Sequence, residues 1–166
     1  PARGLKALQA KAADPQVAEA LFQFASRCEA QEYYDTAVDA YRLFVVYNKE
    51  SPYRHQALLR QAELESRRQR HADASATYRR LVAEAPQRPE AIEALLELGR
   101  LILERGDDTA AARQTLEQVL NVRSRGPRAD QARLLLAEVA LRQGQLDEAV
   151  GHLEYVGGQA FDAEVR

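Results

Sequence analysis

The sequence predicts an all-α fold, a stacked array of antiparallel helix pairs, and three observations carry that prediction. Ala, Leu, Glu, Gln and Arg dominate the 166 residues, and these are among the stronger helix formers. Pro15, Pro52, Pro89 and Pro127 recur at intervals of 37, 37 and 38 residues. Columns of small and large apolar residues stand in register with those prolines, and self-similarity at such a period marks a repeat architecture.

Ahead of the first proline, residues 2–13 read as a lone helix carrying Ala7, Leu8, Ala10 and Ala12 and ending at Asp14-Pro15. Residues 1–14 are thus expected to be the end of a preceding repeat. Four copies come after it, at 15–51, 52–88, 89–126 and 127–158. In each, proline opens a first helix (A), because its missing N–H would lack a partner in the first turn anyway. Helix A is expected to end at Ala30, Arg67, Glu104 and Arg142. Within it lie two small columns, Ala20, Ala57, Ala94, Ala132 and Ala25, Ala62, Gly99, Ala137. Gly99 costs about 1 kcal/mol of helix propensity relative to alanine, and close packing in this column is expected to offset it.

Turn residues separate helix A from helix B, most plainly Gly106-Asp107-Asp108 and Gly144-Gln145. Helix B carries Ala37, Ala74, Ala112, Ala149, then Tyr41, Tyr78, Leu116, Leu153, then Phe44, Leu81, Val119, Val156, all at helical spacing. The facing alanines bring the two helices close, and the bulky columns fill the space against the next copy. After Gly157-Gly158, residues 159–166 read as the start of a further helix or a tail. Neither end reads as a polar cap and the chain holds no Met, so a mature form or excised fragment of a larger array is expected.

Several function classes are disfavoured. With 23 basic and 25 acidic side chains the net charge is −2, which gives no field to gather nucleic acid. No apolar run approaches the roughly 20 residues of a membrane span, so direct membrane insertion is not expected. The basic clusters Arg67-Arg68-Gln69-Arg70-His71 and Arg123, Arg125, Arg128 read as solvated turns. His55, His71 and His152 lack metal-ligand spacing with one another or with Cys28, which reads as buried filler. No phosphate-binding glycine loop or nucleophile elbow is present. Catalytic, cofactor and metal residues are therefore expected to be none.

The repeat resembles the tetratricopeptide pattern W-x2-L-G-x2-Y, then A-x3-F, then P. Copy three shows it as Leu95-x2-Leu98-Gly99-x2-Ile102 and Ala112-x3-Leu116. Copy one reads Leu21-x2-Phe24-Ala25-x2-Cys28, and copy two Leu58-x2-Gln61-Ala62-x2-Glu65 with Pro86 in the closing position. The period exceeds the family's 34 residues. The stretch Tyr41 to Tyr53, with Ser51-Pro52-Tyr53, resembles bacterial envelope members of the family. The resemblance implies a right-handed superhelical solenoid and a protein–protein interaction scaffold in the bacterial periplasm, the cytoplasm being the alternative.

By the same resemblance, partners bind in a concave groove lined by helix A. Its positions fall at Glu19, Gln56, Glu93 and Gln131, then at Phe22, Leu59, Leu96 and Leu134. They continue at Ser26, Glu63, Arg100 and Glu138, then at Glu29, Ser66, Leu103 and Leu141. The Lys and Asn that clamp a terminal carboxylate in chaperone-binding members are absent here. The apolar column either packs against the neighbouring copy or forms an exposed stripe suited to an amphipathic helix with basic flanks. Tyr33, Tyr34, Tyr47 and Tyr53, at turns and helix ends, form a candidate binding edge. An alternative reading is a segment of a secretion or exopolysaccharide-export protein that positions an enzyme or pore; a third is self-association.

Overall fold

The computed structural model describes residues 2–10, 12, 14–106 and 108–164, so Asp107 of the third turn and the terminal Val165 and Arg166 lie outside the described residues, as do Lys11 and Ala13. Among the described residues all regular structure is helical. The elements are α1 (Ala2–Gln9), α2 (Pro15–Ala30), α3 (Tyr34–Tyr47), α4 (Arg54–Arg67), α5 (His71–Glu84), α6 (Pro89–Arg105), α7 (Thr109–Val122), α8 (Pro127–Arg142) and α9 (Leu146–Glu164). They fall into two compact units, Pro1–Pro86 and Gln87–Arg166. Each holds two A/B pairs, α2/α3 with α4/α5 and α6/α7 with α8/α9, and within each unit the first B helix packs on the second A helix.

The A/B turns share a geometry that the sequence shows in only two of them. Gly106 and Gly144 are left-handed, with φ of 75° and 73°, and so are Glu32 and Gln69, with φ of 62° and 58°. Positions 32, 69, 106 and 144 keep the repeat period of 37, 37 and 38. At three of these turns the following amide closes the helix in a Schellman pattern. Tyr33 N–H donates to Cys28 O at 2.8 Å, Arg70 N–H to Glu65 O at 2.8 Å, and Gln145 N–H to Ala140 O at 2.9 Å. A Cβ in the left-handed region costs roughly 1–2 kcal/mol. Gln69→Gly is therefore expected to raise the unfolding free energy by about 1 kcal/mol, readable by urea denaturation.

Four expectations need correcting. Pro52 does not open α4. Ser51 instead holds a tight turn, its hydroxyl accepting from Tyr53 N–H at 3.3 Å and its carbonyl from Arg54 N–H at 3.1 Å. Helix α1 stops at Gln9, short of residue 13. Ala57 and Ala132 are wholly buried, but Ala20 is exposed, since the eight-residue α1 ahead of α2 leaves it uncovered. Finally, α9 runs unbroken through Gly157-Gly158 to Glu164, so residues 159–164 extend that helix and do not start another. Those glycines lack the positive φ by which Gly106, Gly126 and Gly144 end or precede a helix.

The core of each unit is the alternation of small and large columns. Ala25, Ala37, Ala62 and Ala74 are wholly buried in unit one beside Tyr41, Phe44, Tyr78 and Leu81. Unit two repeats the scheme with Gly99, Ala112, Leu116 and Val119. A Cβ built on Gly99 would lie 2.6 Å from Leu116 Cδ2, so the glycine lets α6 and α7 approach.

Polar ties hold successive pairs in step. Arg54, 7% exposed, donates to Val45 O and, through Nε and Nη2, to both oxygens of Glu84 at 3.0 Å each. Burial would raise the Glu84 pKa, yet the hydrogen bonds from Arg54 and Arg80 outweigh it and hold the carboxyl below its usual range. At the turns, Asp35 pairs with Arg68 at 3.2 Å and Arg70 at 2.7 Å. Unit two makes the equivalent link through Arg113, which meets Glu148, Gln143 and Gln145.

Candidate protein-binding surfaces

In unit one, α2 and α4 meet through side chains. Phe22 stacks on Tyr53 with ring centroids 5.0 Å apart and touches Tyr41 and Phe44 at 5.7 and 5.5 Å. Phe22 and Leu59 are half-buried, and Tyr53 is exposed. The column is thus neither sealed core nor open stripe here; it is the floor of a face. Gln56 and Glu19 stand exposed beside it, Glu19 accepting from Gln23 at 3.1 Å.

A polar chain crosses the same face. The Tyr41 hydroxyl donates to Glu29 Oε2 at 2.9 Å and lies 3.1 Å from Ser26 Oγ. Glu29 is 3.9 Å from Arg60, which donates to Glu63 at 3.0 Å. Burial pushes the Tyr41 pKa well above 10.0; the Ser26 hydrogen bond opposes this and the Glu29 charge adds to it. The network fixes Glu29 and Glu63 on the surface instead of leaving them to swing. Glu19, Glu29 and Glu63 outnumber Arg60 there, so the face is negative. Arg60 belongs to this face although the groove pattern omits it; its i,i+3 spacing to Glu63 is the signal the sequence offers.

Unit two differs. Here α6 packs directly on α8, and Leu96 and Leu103 are core, so these two positions are corrected from groove to packing residues. Leu103 O also accepts from Arg142 Nη1 at 2.6 Å. Leu134 and Leu141 are exposed. Around them Arg128 pairs with Glu93 and donates to Gln131 at 3.1 Å, while Arg142 pairs with Glu138. Arg100 meets Glu97 at 3.3 Å. Burial raises the Glu97 pKa; Arg100 opposes that shift, and Glu93 and Glu104 reinforce it. Ser66, half-buried, ends the unit-one set.

The four tyrosines do not form one edge. Tyr33 and Tyr34 sit at the start of α3, Tyr47 and Tyr53 at or beyond its other end, and a 14-residue helix separates its ends by about 20 Å. Tyr34 accepts from Arg67 Nη1 at 3.2 Å, with the guanidinium 5.3 Å from its ring centroid. Arg67, Arg68 and Arg70 are therefore engaged by Tyr34 and Asp35. Tyr47 lines an open cavity of about 660 Å³ with Ala18, Val46 and the 48–52 turn.

Among the described residues no group of three His, Cys, Asp or Glu side chains could hold a metal, and no helix is long and apolar enough to cross a membrane. Cys28 is buried, which raises its thiol pKa.

Residues 91–166 match the family described as a tetratricopeptide repeat-like domain, and residues 59–121 match the tetratricopeptide repeat family. Neither is a catalytic family. No curated protein gives a significant match. Among solved structures, MamA superposes with a TM-score of 0.78 at 17% identity, covering 99% of this chain and 89% of that one. BtubC from P. vanneervenii gives 0.76 at 15%, covering 91% and 66%. A tetratricopeptide repeat protein from Parabacteroides merdae gives 0.74 at 22%, covering 95% and 58%. At these identities the likeness establishes the fold.

Proposed function

The chain belongs to the tetratricopeptide repeat family, and from that premise we propose that it is a protein–protein interaction scaffold whose helix A face in unit one binds an amphipathic partner helix with basic flanks. The observation that carries the reading is the pairing of an apolar floor with a fixed acidic border. Phe22, Leu59 and Tyr53 supply the floor, and Glu19, Glu29 and Glu63 the border. An apolar stripe on a helix would bury against the floor, and Lys or Arg beside that stripe would meet the carboxylates. The Tyr41–Tyr53 stretch supports a bacterial periplasmic setting for the scaffold. There the array would position an enzyme or pore of a secretion or exopolysaccharide-export machine.

Site-specific photo-crosslinking tests the binding face. A crosslinker at Gln56, exposed on α4, should capture a partner from a bacterial envelope extract. One at Arg79, exposed on α5, should not. Equal capture from both positions would contradict the reading.

A further inference from the structure

In the acidic border of the unit-one face, one seat is already taken by a residue of the chain itself. Arg60 lies exposed on α4 between two carboxylates, with Nη1 3.0 Å from Glu63 Oε2 and 3.9 Å from Glu29 Oε1. Both contacts run from one nitrogen, and only the one to Glu63 is within hydrogen-bond distance. The Tyr41 hydroxyl occupies the other oxygen of Glu29, and Oε1 is the atom that Arg60 approaches. Burial disfavours a charge on Arg60, yet Glu63 and Glu29 outweigh it and raise the guanidinium pKa above its usual value. The seat therefore stabilises a cation. At the same register the other three copies carry Gln23, Glu97 and Leu135, so the cation belongs to copy two alone.

We propose that Arg60 is an internal placeholder: the partner helix binds by setting one of its own arginines between Glu29 and Glu63 and displacing Arg60 to water. The proposal rests on unit one being the binding face, and it adds the residue that limits affinity there. An incoming guanidinium presents two nitrogens in a planar fork, one for each carboxylate, where Arg60 reaches both with one. Displacing Arg60 costs little, since an exposed ion pair is weak and the freed guanidinium is hydrated. While Arg60 holds the seat, however, partner binding carries that cost. Removing Arg60 should therefore strengthen binding, whereas removing a residue that touches the partner would weaken it.

Fluorescence anisotropy at low salt, with a labelled synthetic helix bearing a leucine stripe flanked by arginines, tests the proposal on the full chain. Saturable binding to the wild type is expected, and about threefold tighter binding to Arg60→Gln, the size of one exposed ion pair. Arg60 is exposed, so the variant should keep its circular dichroism spectrum. Arg79→Gln removes the same charge from an exposed position on α5 and should leave the affinity unchanged. In a Glu29→Gln/Glu63→Gln background the gain from Arg60→Gln should vanish. A lysine counterpart of the peptide should gain less from Arg60→Gln, because an ammonium lacks the fork. Unchanged or weaker binding by Arg60→Gln would overturn the proposal but not the unit-one face. So would an equal gain from Arg79→Gln, from the lysine peptide or in the Glu29→Gln/Glu63→Gln background. No saturable binding to the wild type would overturn both the face and the proposal.

Discussion

Replacing Glu65 with alanine is expected to lower the unfolding free energy by about 3 kcal/mol, the upper end for leaving a buried donor without its acceptor. Glu65 is wholly buried in α4. Its Oε1 accepts from Arg42 at 3.0 Å and Gln61 at 2.8 Å, and its Oε2 from Thr77 at 2.8 Å. Arg42 is half exposed and can turn to water when the carboxylate goes. Gln61 and Thr77 are buried and cannot: the Thr77 hydroxyl would lose its acceptor, and Gln61 would keep only its longer bond to Thr77 Oγ1 at 3.4 Å. Glu65→Gln keeps the shape and one acceptor, and is expected to cost about 1 kcal/mol. Urea denaturation separates the two; equal losses would mean that the charge, not the missing acceptor, dominates.

The second large effect lies where α6 meets α7. Leu116→Ala is expected to cost about 3 kcal/mol, because the side chain is wholly buried and the cavity collapses only in part. Gly99→Ala alone gains about 1 kcal/mol of helix propensity. It also drives a Cβ to 2.7 Å from Leu116 Cγ, a branch point that cannot swing aside as a chain end can. Overpacking of that kind costs about 1–3 kcal/mol, so the single change is expected to destabilise. With Leu116→Ala already present the clash is gone, and Gly99→Ala should then stabilise. A double-mutant cycle reads that reversal of sign. If Gly99→Ala proved stabilising in both backgrounds, the glycine would not be a packing residue.

The repeat is legible in the sequence because its physics is local. Alanine against alanine and a bulky residue one turn on are constraints within a single helix pair, so they recur at a fixed offset. Glu32 and Gln69 show where such reading stops, since their left-handed backbone serves the same turn as Gly106 and Gly144 without the residue that advertises it. Gly157-Gly158 show the converse: glycine permits a break but does not impose one, and α9 continues through.

The binding faces are less legible, because a side chain's exposure depends on whether another helix packs over it. Leu96 and Leu134 are the same residue at the same register, yet Leu96, on a helix that α8 packs against, is buried and Leu134 is exposed. Glu65 stands where the family places an aromatic, but its partners lie 23, 4 and 12 residues away on three helices. Residue type alone groups the tyrosines, whereas α3 holds Tyr34 and Tyr47 at opposite ends.

Binding of the partner at the acidic, apolar-floored face of unit one is tested most directly by calorimetry. The captured partner is titrated into the wild type and into Glu19→Lys/Glu63→Lys, at two salt concentrations. Reversing border charges should weaken binding about tenfold at low salt, with the difference shrinking as salt rises. An affinity unchanged by the reversal at both salt concentrations would contradict binding at this face.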